Sequence, residues 1–255
     1  MKGERPYTVG MKMPVVFVPL ALFASMMVGV AVCVAQQDTA AKPAVSDSDF
    51  DNAPWAIDLQ KRHEALIAHN GPGTDAALRD TLLAMVETDQ NARGISHGQP
   101  INKDKLEMAK NMAEIDAGLT AKLKEIVAKD GWPTIALVGI DASNAAMLIL
   151  THTADHAWQL SLLPQLEELA DTGKIDGSAL ALVIDKELVS EGKLQRYGTQ
   201  FKVVDGQMAM FAMEDVAGLD ARRATVFLPP MDAYRQMLAQ MYHLPVSNKI
   251  VSAAK

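Results

Sequence analysis

The sequence has little cysteine, few aromatic residues and a deficit of positive charge. Its one cysteine among 255 residues is Cys33, which excludes a disulfide within the chain, an iron–sulfur cluster and zinc held by cysteines. Aromatic residues make up 5% while methionine numbers 15, a balance that predicts an aliphatic core packed between helices. The chain has 24 basic and 31 acidic residues, which gives a formal net charge of -7. That charge argues against general nucleic-acid binding, which needs a basic face.

Residues 1–35 have the pattern of an export leader. Basic residues among the first twelve precede an almost uncharged run over 13–35, which is followed by two glutamines. Small side chains three and one positions before a cleavage point, here Cys33 and Ala35, favour cleavage after Ala35. An uncleaved membrane anchor and a lipoprotein attached at Cys33 are the alternatives, although Val32 is larger than lipidation favours. Each alternative places the folded part outside the cytoplasm.

The remaining chain divides into a flexible polar linker over 36–50 and a single mainly helical domain over 51–255. Apolar spacing, capping residues and breakers predict its helices. In chain order these are 54–69, a segment after Thr74 or Asp75, about 103–129, 142–163 ended or kinked near Pro164, a shorter helix stopped by Gly173, about 177–191, and one after Pro230. The expected N-caps are Thr74 or Asp75, Asp141 and Asp176. The short apolar run 136–140 is a strand or a buried turn.

One strong β signal lies late in the chain. Residues 201–204 and 207–211 flank Asp205-Gly206, the preferred pair for a type I′ hairpin turn. With this one hairpin against six or seven helices, we expect a mainly α domain that carries a single small β-hairpin and follows a signal peptide.

The densest polar cluster is His152-Thr153-Ala154-Asp155-His156. On one continuous helix, residues four apart share a face, so His152 and His156 would point at the same metal ion or ligand, with Asp155 beside them. The order H-x-x-D-H is close to the inverted zinc-protease motif, but zinc needs a third ligand that the sequence does not select. A metal-free polar pocket and a purely structural histidine pair are both more favoured than zinc.

Two further groups of residues have side chains of the kinds found in catalytic and ligand-binding sites. Asp89, Gln90 and Arg93 close the second predicted helix, where Asp89 and Arg93 have the spacing of a solvated ion pair. The amide of Gln90 offers an orienting group for a ligand. Asp185 precedes a loop with four neutral hydrogen-bonding residues, Gln195, Tyr197, Thr199 and Gln200. Tyr197 is a candidate proton donor, and Gln195 and Gln200 are candidate ligand-binding residues.

Arg222 and Arg223 follow in the same acidic chain. We expect them to neutralise buried Asp89 or Asp185, or to clamp an anionic ligand. Gly198 lies between a helix end and the hairpin, where a positive φ is often required.

Taken together, these motifs resemble an uncharacterised family of bacterial domains. The resemblance covers roughly 65–234 and consists of D-Q-x-x-R at 89–93, G-W-P at 131–133, the helix with His152 and Asp155, Asp185, Q-R-Y-G-T-Q at 195–200 and the paired arginines. It implies a mostly helical fold and brings no activity with it. Arginine is common in the family where this chain has Lys186, which weakens the expectation of a guanidinium fork there.

The expected function is that of an exported bacterial cell-envelope protein, with three alternatives for its molecular role. A hydrolase would use His152 with Asp155 or Asp185 as acid–base groups and Tyr197 and Gln200 as orienting groups, since the pKa of free histidine lies close to neutral pH. A binding module would hold a small molecule, a peptide or a cell-wall fragment, and a scaffold would use the polar groups structurally. We expect no cofactor, no nucleic acid, and membrane contact only through an uncleaved N-terminal segment.

Overall fold

A computed structural model describes residues 52–96, 99–100 and 105–252, so the predicted leader and linker lie outside the described residues. This part of the chain is mainly helical, as predicted. Its helices are α1 (Pro54–Asn70), α2 (Ala76–Ala92), α3 (Lys105–Asp130), α4 (Ile135–Val138), α5 (Ile140–His152), α6 (His156–Asp171), α7 (Gly177–Ser190), α8 (Leu219–Thr225) and α9 (Met231–Tyr242). Its strands are β1 (Ile95–Ser96), β2 (Gln99–Pro100), β3 (Phe201–Val204), β4 (Gln207–Phe211) and β5 (Val246–Val251).

Three aspartates start three of the helices. The side chains of Asp75, Asp155 and Asp176 accept a hydrogen bond from the backbone N–H of the second or third helical residue of α2, α6 and α7. A carboxylate at this position satisfies one of the N–H groups that a helix leaves without an internal partner, and it interacts favourably with the helix dipole. The predicted capping by Asp75 and Asp176 is therefore confirmed, whereas the predicted cap at Asp141 is wrong because Asp141 lies inside the first turn of α5.

The predicted continuous helix over 142–163 is wrong, because the chain breaks between α5 and α6. The Oγ1 atom of Thr153 accepts the N–H of Asp155 at 3.1 Å, and Asp155 then caps the new helix by accepting the N–H of Trp158 at 3.0 Å. Local side-chain bonds of this kind compete with the helical ladder. Of the two alternatives given for Pro164, an end of the helix is wrong, since α6 continues through Pro164 to Asp171. The run 136–140, for which a strand or a buried turn was predicted, is instead mostly helical: it belongs to the short helix α4 and to the start of α5.

The two central helices, α5 and α7, form the core of the helical layer. Ten consecutive residues of α5, 142–151, are buried, and so are nine consecutive residues of α7, 177–185. They pack against Leu82 and Met85 of α2 and against leucines of α3 and α6. Each fully buried aliphatic side chain contributes about 1.5–3 kcal/mol through burial. Because both helices are buried on every side, their polar side chains must find partners inside the protein.

Among the described residues, no helix combines the length and the apolar character needed to cross a lipid bilayer.

The late β element is a small sheet with one strand more than predicted. β3 and β4 pair antiparallel across Asp205 (φ 51°) and Gly206 (φ 73°), which confirms the predicted hairpin and its turn. β5 then adds to β4 in parallel, with Phe211 opposite Val251. One face of the sheet packs on α9, where Tyr234 and Leu238 are buried against methionines of β4.

Helix α1 docks on the start of α7 through a histidine–carboxylate pair. His63 Nε2 lies 2.8 Å from Asp176 Oδ2, and the His63 ring lies 5.6 Å from the ring of Phe227. The hydrogen bond with Asp176 raises the pKa of His63 above its ordinary 6.5, against the opposing effect of burial. Burial alone would raise the pKa of Asp176, but the hydrogen bond and charge of His63 lower it.

This pair predicts a pH-dependent stability. Because the pKa of His63 is higher in the folded protein, its contribution is complete below about pH 6.5 and declines as the pH rises through the folded value. We expect His63→Phe, which retains a ring but has no N–H, to destabilise the protein by about 1 kcal/mol near pH 6 and by less at pH 9. Thermal melts at both pH values measure this, with His69→Gln on the same helix as the control. An equal loss at both pH values would contradict the assignment.

Candidate functional site

The candidate site is centred on Asp89, which lies in the last turn of α2 and is fully buried. Its Oδ1 atom accepts a hydrogen bond from Arg93 Nη1 at 2.8 Å and lies 2.8 Å from His152 Nδ1. Its Oδ2 atom accepts from Gln90 Nε2, also at 2.8 Å. The structure thus joins the predicted Asp89, Gln90 and Arg93 group to His152, which comes from the end of α5.

Arg93 extends this group to a second carboxylate. Its Nη2 atom donates to both carboxylate oxygens of Asp116 on α3, at 2.9 and 3.0 Å. The Arg93 side chain is only 8% exposed, so the expected solvated ion pair is instead a buried, shared one. A buried guanidinium held by two carboxylates is fixed in orientation, because both ends of its planar fork are occupied. We call Asp89, Gln90, Arg93, Asp116 and His152 the Asp89 cluster.

The contact with Asp89 sets the tautomer of His152. An ionised carboxylate can only accept hydrogen bonds, so Nδ1 of His152 must carry the proton that is shared with Asp89. In the neutral ring the other nitrogen, Nε2, then has a free lone pair. Nε2 is buried and has no hydrogen-bond partner among the described residues. This arrangement is the one that orients a histidine base.

The cluster concentrates unsatisfied polar atoms. In the described part of the chain, seven buried side-chain nitrogen or oxygen atoms have no partner, and three of them belong to the cluster: His152 Nε2, Gln90 Oε1 and Arg93 Nε. Buried polar atoms are normally paired, because each unpaired one costs about 1–3 kcal/mol. A local excess therefore indicates a site shaped for something other than stability.

Asp155 and His156 are bonded to other partners and not to the Asp89 cluster. Asp155 caps α6 and pairs with Lys124 at 2.5 Å, and the hydrogen bond from Lys124 lowers the pKa of Asp155. His156 Nδ1 lies 2.9 Å from Glu187 Oε1 of α7. Because the helix breaks between His152 and His156, the shared-face argument for a metal pair fails. Within the described residues, no group of three or more histidine, cysteine, aspartate or glutamate side chains has a metal-binding arrangement.

Asp185 supports a separate network rather than the Asp89 cluster. Its buried carboxylate accepts the N–H groups of Arg196, Tyr197 and Thr199 at 2.6–3.0 Å, together with the Oγ1 hydroxyl of Thr199 at 2.9 Å. Burial raises the pKa of Asp185, although these hydrogen bonds act in the opposite direction. The carboxylate therefore holds the 196–199 loop against α7.

The two glutamines of that loop are bonded within the protein. Gln195 donates through Nε2 to the carbonyls of Gln200 and Phe211, and its Oε1 accepts the N–H of Gln200 at 2.8 Å. Gln200 donates through Nε2 to Thr199 Oγ1 and to the carbonyl of Leu182. Gly198 has a φ of 67°, as predicted, and an added Cβ would lie 2.7 Å from Met213 Sδ.

Neither of the paired arginines is hydrogen-bonded to Asp89 or Asp185, and the charge of Asp185 acts on Arg223 only from a distance. Buried Arg223 donates to the carbonyls of Pro229 (2.7 Å) and Tyr197 (2.5 Å), and it lies 4.6 Å from the Tyr234 ring centroid. Burial lowers the pKa of Arg223 to about 10. Arg222 binds Asp215 and the carbonyl of Arg196.

Tyr197 itself lines a half-open cleft of about 190 Å³. Burial raises the pKa of its phenol. Apolar side chains of α7, among them Leu180 and Ile184, line the cleft together with Glu167 and Arg196, which form an ion pair at 2.6 Å. We call this the Tyr197 cleft.

Comparison with known proteins places the chain in a family but not in a functional class. Residues 76–247 match the family of unknown function DUF6624, and the chain belongs to that family. The sequence-based resemblance to an uncharacterised domain family is therefore confirmed. Helix α1, which docks through His63, precedes the matched region. No curated protein and no solved structure is significantly similar to the chain.

Two residues near the site were not predicted from the sequence, Asp116 and Lys186. Asp116 follows Met112 by four residues and precedes Leu119 by three, so it lies within the apolar stripe of α3. A charged residue inside such a stripe is a readable signal for a buried partner. Lys186 follows Asp185 directly, and its Nζ donates to the carbonyl of Thr151 at 3.0 Å, next to His152.

Proposed function

We propose that the protein is a hydrolase in which His152, oriented by Asp89, is the general base. The observation that supports this proposal is the 2.8 Å contact between His152 Nδ1 and Asp89 Oδ1, together with the unpartnered Nε2. A positioned histidine of this kind accelerates proton transfer by about 10²–10⁴-fold. Asp155 and Asp185 are bonded elsewhere, so neither is needed as the partner of His152.

The proposed reaction needs one proton acceptor and one fixed carboxylate. His152 Nε2 takes a proton from a water molecule, whose oxygen attacks the carbonyl carbon or phosphorus of an ester or amide. The resulting imidazolium is stabilised by the charge of Asp89 and then returns the proton to the leaving oxygen or nitrogen as its bond breaks. Arg93 keeps Asp89 in place, and Gln90 Oε1 is available to accept a hydrogen bond from the water or the substrate.

A substrate screen tests the proposal. The full chain is assayed against aryl esters, phosphate esters, short peptides and peptidoglycan fragments, in parallel with His152→Gln and a control, His69→Gln, which changes an exposed histidine on α1. We expect one substrate class to be hydrolysed by the wild type and the control, with a loss of about 100-fold or more in His152→Gln. Unchanged hydrolysis in His152→Gln, or no hydrolysis of any class, would contradict the proposal.

The leader pattern supports an envelope location for this hydrolase. We expect the mature protein to begin at Gln36 and to be found in the periplasmic or extracellular fraction. Mass spectrometry of the N-terminal peptide from fractionated cells measures this, and an intact protein confined to the cytoplasm would contradict it. A protein that retains 1–35 in the membrane fraction would favour the anchored alternative over cleavage.

The Tyr197 cleft favours a second candidate, a non-catalytic binding module for a small molecule. Its lining combines apolar side chains of α7 with the phenol of Tyr197 and the charged Arg196 and Glu167, and such polar groups fix the orientation of a bound small ligand. Thermal-shift screening of small ligands tests this candidate, with Tyr197→Leu as the variant. Ligands that stabilise the wild type but not Tyr197→Leu would support it, whereas equal shifts in both proteins would exclude the cleft.

A further inference from the structure

Lys186 lies beside the Asp89 cluster, and within the described part of the chain its ammonium forms no ion pair with a carboxylate. It lies on α7 and is partly buried, and its Nζ atom donates to the carbonyl of Thr151 at 3.0 Å. Among the residues whose side chains are described, no carboxylate oxygen lies within 4.0 Å of Nζ. An ammonium has three donors, so one backbone carbonyl does not use its bonding capacity.

The nearby carboxylates are already occupied by other partners. Asp116 receives both bonds from Arg93 Nη2, and Glu187 is bonded to His156. Their charges act on Lys186 only from a distance and raise its pKa, but burial has the larger effect and lowers it. A partly buried cation without a counter-ion costs free energy that a bound anion would offset.

Arg93 does not provide an alternative anion site. Both of its Nη atoms are bonded to carboxylates, and its side chain is 8% exposed. Lys186 instead has an ammonium, a compact charge on a flexible stem that binds phosphate or carboxylate groups. The carbonyl that Lys186 binds belongs to Thr151, the residue directly before His152. The remaining donors of Lys186 and the Nε2 lone pair of His152 are therefore both found at the carboxyl end of α5.

We propose that Lys186 binds an anionic group of the substrate, a phosphate or a carboxylate, beside His152. This inference rests on the proposed hydrolase function and narrows its substrates to anionic esters or amides. In a phosphate ester the ammonium also neutralises charge on the equatorial oxygens during attack by water.

The test is a titration of the full chain with inorganic phosphate and, separately, with acetate. Binding is followed through the ring nitrogen signals of His152, in the wild type, Lys186→Met, Lys186→Arg and a control, Lys122→Met, which changes an exposed lysine on α3. We expect saturable shifts in the wild type, Lys186→Arg and the control, and at least a tenfold weaker affinity in Lys186→Met. Tighter binding of phosphate than of acetate identifies phosphate esters, and the reverse order identifies carboxylates.

Two results would overturn the inference. One is the absence of any saturable shift in the wild type with either anion. The other is equal anion affinity in Lys186→Met and the wild type, with only a lower melting temperature in the variant, which would mean that Lys186 simply caps the carboxyl end of α5. If anion binding depends on Lys186 but no substrate is hydrolysed, the anion site stands and the hydrolase proposal fails. If hydrolysis persists without anion binding, the anion site alone fails.

Discussion

Replacing Asp185 with alanine should lower the free energy of unfolding by about 3–5 kcal/mol, the largest stability loss that we expect from one polar residue. The substitution strands three backbone N–H groups and the hydroxyl of Thr199, all of which now donate to this carboxylate. Each orphaned buried donor costs about 1–3 kcal/mol, although relaxation of the loop recovers part of that cost. Thermal unfolding should show a melting temperature lower by about 10 °C.

Asp80→Ala is the matched control for this experiment. Asp80 lies exposed on α2 with no described partner, so its loss should change the free energy of unfolding by no more than about 0.5 kcal/mol. If Asp185→Ala melts within 2–3 °C of the wild type (roughly 1 kcal/mol), Asp185 does not organise the 196–199 loop. Asp185 would then return as a candidate for the chemical step.

The largest expected effect on activity comes from Asp89→Asn. An amide in place of the carboxylate can turn its NH₂ group toward His152 Nδ1, which moves the ring proton to Nε2 and removes the base. We expect hydrolysis to fall by about 10²–10⁴-fold, the range for a misoriented histidine base. The fold should persist, because Arg93 keeps both bonds to Asp116.

Steady-state kinetics and thermal melting of the same samples measure the Asp89→Asn effect. Asp80→Asn makes the identical chemical change at an exposed position of the same helix and should retain full activity. Loss of activity together with a collapse in melting temperature would mean that Asp89 is structural. Retention of activity by Asp89→Asn would exclude Asp89 as the partner of His152.

Local features of this fold were predictable because their causes are local. The caps at Asp75 and Asp176, the start of α9 after Pro230 and the type I′ turn at Asp205-Gly206 each depend on residues within one turn of the chain. β5 was not predicted, because its short, mixed sequence becomes a strand only by pairing with β4. Pro164 shows the converse, since packing of α6 overrides a strong local breaker.

The candidate site was predictable in its residue types but not in its pairings. Asp89, Gln90, Arg93 and His152 were all identified, yet Asp89 and His152 are 63 positions apart and meet only because α2 packs on α5. Three consecutive residues of α7 show why spacing in the sequence does not predict which side chains meet. Asp185 binds the 196–199 loop, Lys186 binds the end of α5 and Glu187 binds His156, so neighbours in the sequence serve three different contacts.

The tautomer of His152 tests the central claim most directly, because it reports on the base without requiring a substrate. The chain has six histidines, so ring nitrogen signals can be assigned by comparison with His152→Gln in ¹⁵N-labelled protein. The 2.8 Å contact predicts a proton on Nδ1 and an unprotonated Nε2 in the neutral ring, with the proton moving to Nε2 in Asp89→Asn. A neutral His152 that carries its proton on Nε2 in the wild type would contradict the account.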